Sequence, residues 1–188
     1  MLDQNLLNDF STLFAYSWYR DFPMDGYNRD IGSLSDWNIH TGYTVRRVAD
    51  LMGYFAHFES GNRTDAVIRD TQRAPIVFAE WEWLSPYENN INEPEKLSDA
   101  ALKERPGFCF LFSYAPVGTI ERQLDYISSK WNADVPLLVS LLEFEGSTTR
   151  IFKGMSMYRF DGGTWQLLRE QQALAWNVQG ARWAKQSQ

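Results

Sequence analysis

Asp65, Glu80 and Glu82 are the residues whose types and spacing point most directly to chemistry. Asp65 stands in Thr64-Asp65-Ala66-Val67-Ile68-Arg69-Asp70, and the two glutamates stand in Pro75-Ile76-Val77-Phe78-Ala79-Glu80-Trp81-Glu82-Trp83-Leu84. Both runs are rich in β-branched and aromatic residues, and the polar Thr71-Gln72-Arg73-Ala74 joins them, so the pattern predicts a β-hairpin. With the turn centred on Gln72 and Arg73, opposed residues have numbers that sum to 145, which sets Asp65 across from Glu80. Opposed side chains of an antiparallel pair share a face with Cβ atoms ~4.5–5.5 Å apart, where like charges destabilise the pair. Glu82 shares that face at ~6.6 Å from Glu80 by the strand rise, while Ala79, Trp81 and Trp83 point the other way into a core.

Three acids in one patch need something to offset their repulsion. A divalent cation does so: hard oxygen ligands suit Mg²⁺ or Mn²⁺, and such an ion polarises a phosphoryl oxygen and acidifies a bound water. The other readings are a solvated acidic face, or ordinary surface ion pairs with Arg63 and Arg69. A slip of one residue in the hairpin register would carry Asp65 to the opposite face.

The elements that must position these acids follow from periodicity. Residues 5–20 carry Leu6, Leu7, Phe10, Leu13, Phe14 and Trp18 at helical spacing, which predicts a first helix. Residues 21–42, rich in Asp, Gly, Ser and Asn and containing Pro23, read as a long loop. Val45, Val48, Leu51, Met52, Phe55 and Phe58 predict a second helix over 44–58, stopped near Gly61. After the hairpin, residues 85–106 read as an exposed excursion with a short helix over 97–104. Residues 108–115 read as a central strand, 119–130 as an amphipathic helix and 135–144 as a second strand, and such a passage favours parallel neighbours. Asp161-Gly162-Gly163 marks the turn of a second hairpin over 151–160 and 164–171. The last ~15 residues read as a short helix or a frayed tail.

Taken together these elements predict a single α/β (α+β) domain over residues 1–188, with a mixed central sheet of about five to seven strands flanked by helices. Within it, 1–43 form an N-terminal helix and loop, 44–144 a core, and 145–188 a C-terminal hairpin and tail. The length and the 44% hydrophobic, 22% charged composition suit a globular chain. Aromatic residues reach 15%, with eight Trp, enough for a thick core with some rings left to line a groove. The lone Cys109, inside Phe108-Cys109-Phe110-Leu111-Phe112, reads as a small core residue. No leader and no apolar run of ~20 residues is seen, so the expectation is a cytoplasmic protein with no membrane span. The net charge of −6 argues against a general affinity for polyanions.

The order of helix, Asp65 on one strand, Glu80-Trp81-Glu82 on the next, then strand, helix and strand resembles the core of the PD-(D/E)XK nuclease superfamily, the fold of many restriction endonucleases, over roughly residues 44–144. The resemblance implies a restriction-endonuclease-like core and a metal-dependent endonuclease that binds DNA and hydrolyses its phosphodiester bonds. It implies that Asp65 and Glu80 hold Mg²⁺ or Mn²⁺, and that Glu59, at the end of the second helix, adds a further acid to the metal. The position usually filled by Lys holds Glu82, which would orient or deprotonate the attacking water. Thr64 stands where the motif name expects Pro. Lys96 and Lys153 are candidates for a lysine that has migrated from the motif position, and Gln123 for a polar helper. Enzymes of this type often dimerise to cut both strands.

Two other functions compete. Paired carboxylates among Trp residues also suit a glycoside hydrolase, and a catalytically inactive nuclease fold serving as a protein-interaction module agrees with the acidic net charge. His40 and His57 are too isolated for a zinc site. No phosphate-binding glycine loop or nucleophile elbow appears.

Overall fold

The computed structural model describes residues 4–20, 34–59, 64–85, 92–147 and 150–172. Their elements run α1 (Gln4–Arg20), α2 (Leu34–Leu51), β1 (Phe55–Phe58), β2 (Ala66–Arg69), β3 (Pro75–Trp81), α3 (Glu93–Glu104), β4 (Phe108–Pro116), α4 (Ile120–Lys130), β5 (Leu137–Glu145), β6 (Ile151–Asp161) and β7 (Thr164–Gln172). The seven strands form one mixed sheet in sequence order. β3, β4 and β5 run parallel, and every other neighbouring pair is antiparallel. The parallel pairs are those joined through α3 and α4, because a parallel return needs a crossover longer than a turn.

Each face of the sheet carries its own core. On one face, Phe10, Phe14 and Trp18 of α1 meet the even-numbered aromatics of β4. Phe110 lies edge-on to Phe10 at 5.1 Å and to Phe14 at 4.7 Å between ring centres. On the other face, Leu97, Ala100 and Ala101 of α3 and Leu124 and Ile127 of α4 cover Cys109, Leu111, Val139 and Leu141. A strand buried on both sides reads as a continuous apolar run rather than an alternating one, which is what 108–115 does. Cys109 is fully buried, as expected of a core residue.

The second helix departs from the sequence reading at both ends. It begins at Leu34, inside the stretch read as loop, and it ends at Leu51. Trp37, His40, Thr41 and Thr44 are buried, so polar residues occupy its inner face and hide the amphipathic signal. The His40 ring nitrogen Nε2 sits 2.9 Å from the carbonyl of Trp18 and ties the helix to the end of α1. At its C-terminus Gly53 adopts φ +78°, its N–H donates to Asp50 O, and the Tyr54 N–H donates to Ala49 O. This pair of bonds around a left-handed glycine ends helices. Phe55 and Phe58 therefore belong to β1, and their helical spacing was coincidental. Consequently His57 is on a strand, and Glu59 follows that strand instead of ending a helix. The expected stop at Gly61, the segment 21–33, Arg63 and the C-terminal tail lie outside the described residues.

The first hairpin keeps its expected register. Ala66 faces Ala79, Val67 faces Phe78 and Ile68 faces Val77, before a bulge between Ile68 and Arg69 shifts Arg69 onto Pro75. Asp70 Oδ1 caps the turn by accepting the N–H groups of Gln72 and Ala74, both at 2.8 Å.

Candidate functional site

Asp65 immediately precedes β2, one residue beyond the Ala66–Ala79 pair and beside the carboxyl end of β3. Its Oδ2 accepts the Trp81 backbone N–H at 2.8 Å, so the aspartate replaces the next rung of the ladder and its second oxygen is left for other partners. Ala79, Trp81 and Trp83 pack into the α1–α2 core, and Glu80 faces the α3 side. Glu80 is buried, with 1% of its surface exposed.

A buried carboxylate needs a partner or a proton. Glu80 has access to both. The Lys96 ammonium lies 2.8 Å from Glu80 Oε1, an ion pair that falls short of a well-directed hydrogen bond. Burial, reinforced by the charge of Asp65, pushes the Glu80 carboxyl up to about 8 in spite of Lys96. At neutral pH Glu80 therefore keeps its proton, because burial and a neighbouring negative charge both disfavour its ionised form.

Lys96 comes from the second turn of α3, which begins four residues earlier than the sequence pattern suggests. Pro94 suits the first turn because its missing N–H has no helical partner there, and Glu93 and Glu95 complement the positive end of the helix. That early start brings Glu93 into the cluster. Burial, together with the charges of Glu82 and Asp65, raises the Glu93 carboxyl above its ordinary range, and its Oε2 is buried without a hydrogen-bond partner. The sequence reading passed over Glu93 because it sits in a polar excursion. The pattern Asn92-Glu93-Pro94, with proline just inside a helix start, was the available signal.

Glu82 is half-buried at the end of β3, where the chain leaves the regular strand. Its N–H donates to Phe112 O at 3.0 Å, and its Oε1 accepts the Leu84 N–H at 3.2 Å. Glu59 is exposed at φ +48° just after β1, and its N–H donates to Asp65 O at 3.0 Å. Arg69 does not neutralise the acids: it faces Glu104 at 3.6 Å and donates to Arg73 O. Of the lysines considered, Lys96 enters the site, whereas Lys153 pairs with Glu145 at the far hairpin. Gln123 is buried on α4.

Among the described residues, no three His, Cys, Asp or Glu side chains converge tightly enough to hold an ion by themselves. Asp65 and Glu80 do suit a divalent ion of the Mg²⁺ type, which is commonly held by one or two carboxylates with water and substrate oxygens completing its shell.

No protein-family model matches this sequence, and no curated protein matches it either. Among solved structures, the YaeQ protein from Pseudomonas syringae is similar at 12% identity, over 70% of this chain and 76% of that one, with a TM-score of 0.30. The YaeQ protein from Xanthomonas axonopodis pv. citri is similar at 8% identity, over 63% of this chain and 70% of that one, with a TM-score of 0.28. Likenesses at these scores carry no argument about fold or function. No helix among the described residues is long and apolar enough to cross a membrane.

Proposed function

We propose that this chain is a metal-dependent nuclease of the PD-(D/E)XK type, hydrolysing phosphodiester bonds of DNA in the cytoplasm. The observation that supports this reading most is the buried Glu80, set against the Lys96 ammonium and raised by the charge of Asp65. It is an arrangement in which a cation and a proton compete for the same oxygens.

In this reading Asp65 and Glu80 hold Mg²⁺ or Mn²⁺. The ion would polarise a phosphoryl oxygen and acidify a bound water. Glu82, half-buried at the strand end, would orient the attacking water and accept its proton. Lys96, beside Glu80, would supply the positive charge that stabilises the phosphate in the transition state, a role for which the motif position holds no lysine. Glu93 adds negative charge that strengthens the attraction for a cation. A homodimer would serve cleavage of both strands.

One observation favours a non-catalytic interaction module instead: the Lys96 ammonium already sits against Glu80 Oε1, where an ion would have to bind. Incubation of labelled single- and double-stranded DNA with the protein in millimolar Mg²⁺ or Mn²⁺ separates the two readings. Cleavage is expected, abolished by a chelator and reduced at least ~100-fold in Asp65→Ala. Absence of cleavage of either substrate form, with either ion, overturns the nuclease reading in favour of the module.

A further inference from the structure

Arg150, just before β6, is 67 residues along the chain from Trp83, yet its Nη1 donates to the Trp83 carbonyl at 2.9 Å. Its guanidinium lies 4.2 Å from the ring centre of Trp83, 4.2 Å from that of Phe144 and 5.5 Å from that of Tyr114. Trp83 and Tyr114 are themselves in contact at 4.8 Å. A planar cation between two aromatic faces, with one N–H fixed on a carbonyl, is held in orientation as well as in place, and a lysine ammonium cannot reproduce that stacking.

What this clamp holds is the strand end that carries Glu82. Beyond Trp81 the chain has left β3, so ladder hydrogen bonds no longer fix it. Its anchors are the Glu82 N–H on Phe112 O, the Ser113 hydroxyl donating to Leu84 O at 3.1 Å, and Arg150 on Trp83 O. The first two belong to β4, the adjacent strand. Arg150 alone of the three reaches across from the β5–β6 hairpin, and it grips the residue between the other two anchors. The Glu82 carboxylate in turn folds back onto the Leu84 N–H, so its direction depends on where residues 83 and 84 are held.

The geometry points to Arg150 as a positioning residue that sets the orientation of the Glu82 carboxylate from the β5–β6 hairpin. The assignment rests on the nuclease reading for its meaning in catalysis, but the clamp itself does not. It makes the far hairpin part of the site's support, although no residue of that hairpin touches Asp65 or Glu80 among the described contacts.

Amide hydrogen exchange in ion-free protein tests the clamp directly, comparing Arg150→Ala, Arg150→Lys and Lys153→Ala, the last removing an ion pair on the same hairpin. Exchange of the Glu82 and Leu84 amides is expected to speed up at least ~10-fold in both Arg150 variants, with the β4 amides of Phe110 and Phe112 unchanged, and to stay at the wild-type rate in Lys153→Ala. Unchanged exchange at Glu82 and Leu84 in Arg150→Ala overturns the proposal. So does acceleration that extends equally to Phe110 and Phe112, which marks Arg150 as a general stabiliser. In the cleavage assay the Arg150 variants are expected to lose kcat with little change in KM, because Glu82 is assigned to the attacking water and not to binding. Loss in KM alone contradicts the positioning role. A wild-type protein that cleaves nothing sinks the nuclease reading and leaves the exchange result to decide the clamp.

Discussion

At the scale of single residues, the stability of the site depends on which group carries the proton. Glu80 has its carboxyl pushed up to about 8 by burial and by Asp65, against about 4.5 when the chain is unfolded. Between those values the folded chain keeps a proton that the unfolded chain has released, so the stabilising contribution is complete below pH ~4.5 and is lost as pH rises toward 8. One pKa unit corresponds to about 1.4 kcal/mol, and chelator-treated protein should therefore be less stable at pH 8 than at pH 5 by on the order of 2–4 kcal/mol from this group. Glu80→Gln, neutral at every pH, should flatten that dependence in denaturant titrations at the two pH values. An equal slope in the variant would place the titration elsewhere. The register of the first hairpin was legible in the sequence because a hairpin register needs only the turn position, and the turn is written in Asp70-Thr71-Gln72-Arg73. The part played by Lys96 was not, because a lysine in a polar excursion has no pattern that tells a buried ion pair from a solvated amine. Glu59 was misplaced for another reason: the apolar spacing of Phe55 and Phe58 fits a helix as well as an edge strand, and the left-handed Gly53 decides between them.

At the scale of elements, α1 and α2 together cover one sheet face, and their contacts yield two stability predictions. Phe110 is fully buried with Phe10 and Phe14 packed edge-on against it. Phe110→Ala should cost about 3–5 kcal/mol, through lost burial and the cavity left behind, as read from chemical denaturation. Gly42 of α2 faces the aromatic side chains of the sheet: an added Cβ would sit 3.5 Å from the Trp81 ring and 3.6 Å from the Phe58 ring. Those are ordinary contact distances, so Gly42→Ala should be neutral or stabilise by up to ~1 kcal/mol through helix propensity. Gly42→Leu should destabilise by about 1–3 kcal/mol by driving the helix off Trp81. A Leu variant as stable as wild type would contradict the close approach. Elements whose apolar face is continuous, such as α1, α4, β4 and β5, are readable from periodicity. The first turns of α2 are not, because Trp37, His40, Thr41 and Thr44 are buried there and polar residues on an inner face erase the amphipathic signal.

At the scale of the whole molecule, the sheet places the acids at the carboxyl ends of its parallel strands, where ligands of such sheets characteristically sit. Seven strands and a mixed sheet agree with the sequence-based class, with β1 gained at the expense of a helix end. The chain's net charge of −6 supplies no long-range pull on a polyanion, so under the proposed reading a nucleic-acid substrate would have to be held by a cation at the site and by Lys96 rather than by the surface as a whole. Cation uptake is therefore the property on which everything else turns, and calorimetric titration with Mn²⁺ near neutral pH measures it most directly. One ion per chain is expected, with release of a proton as Glu80 gives up the one it holds, and with binding lost in Asp65→Ala. No saturable uptake at millimolar Mn²⁺, or uptake undiminished in Asp65→Ala, would contradict a cation site built on Asp65 and Glu80.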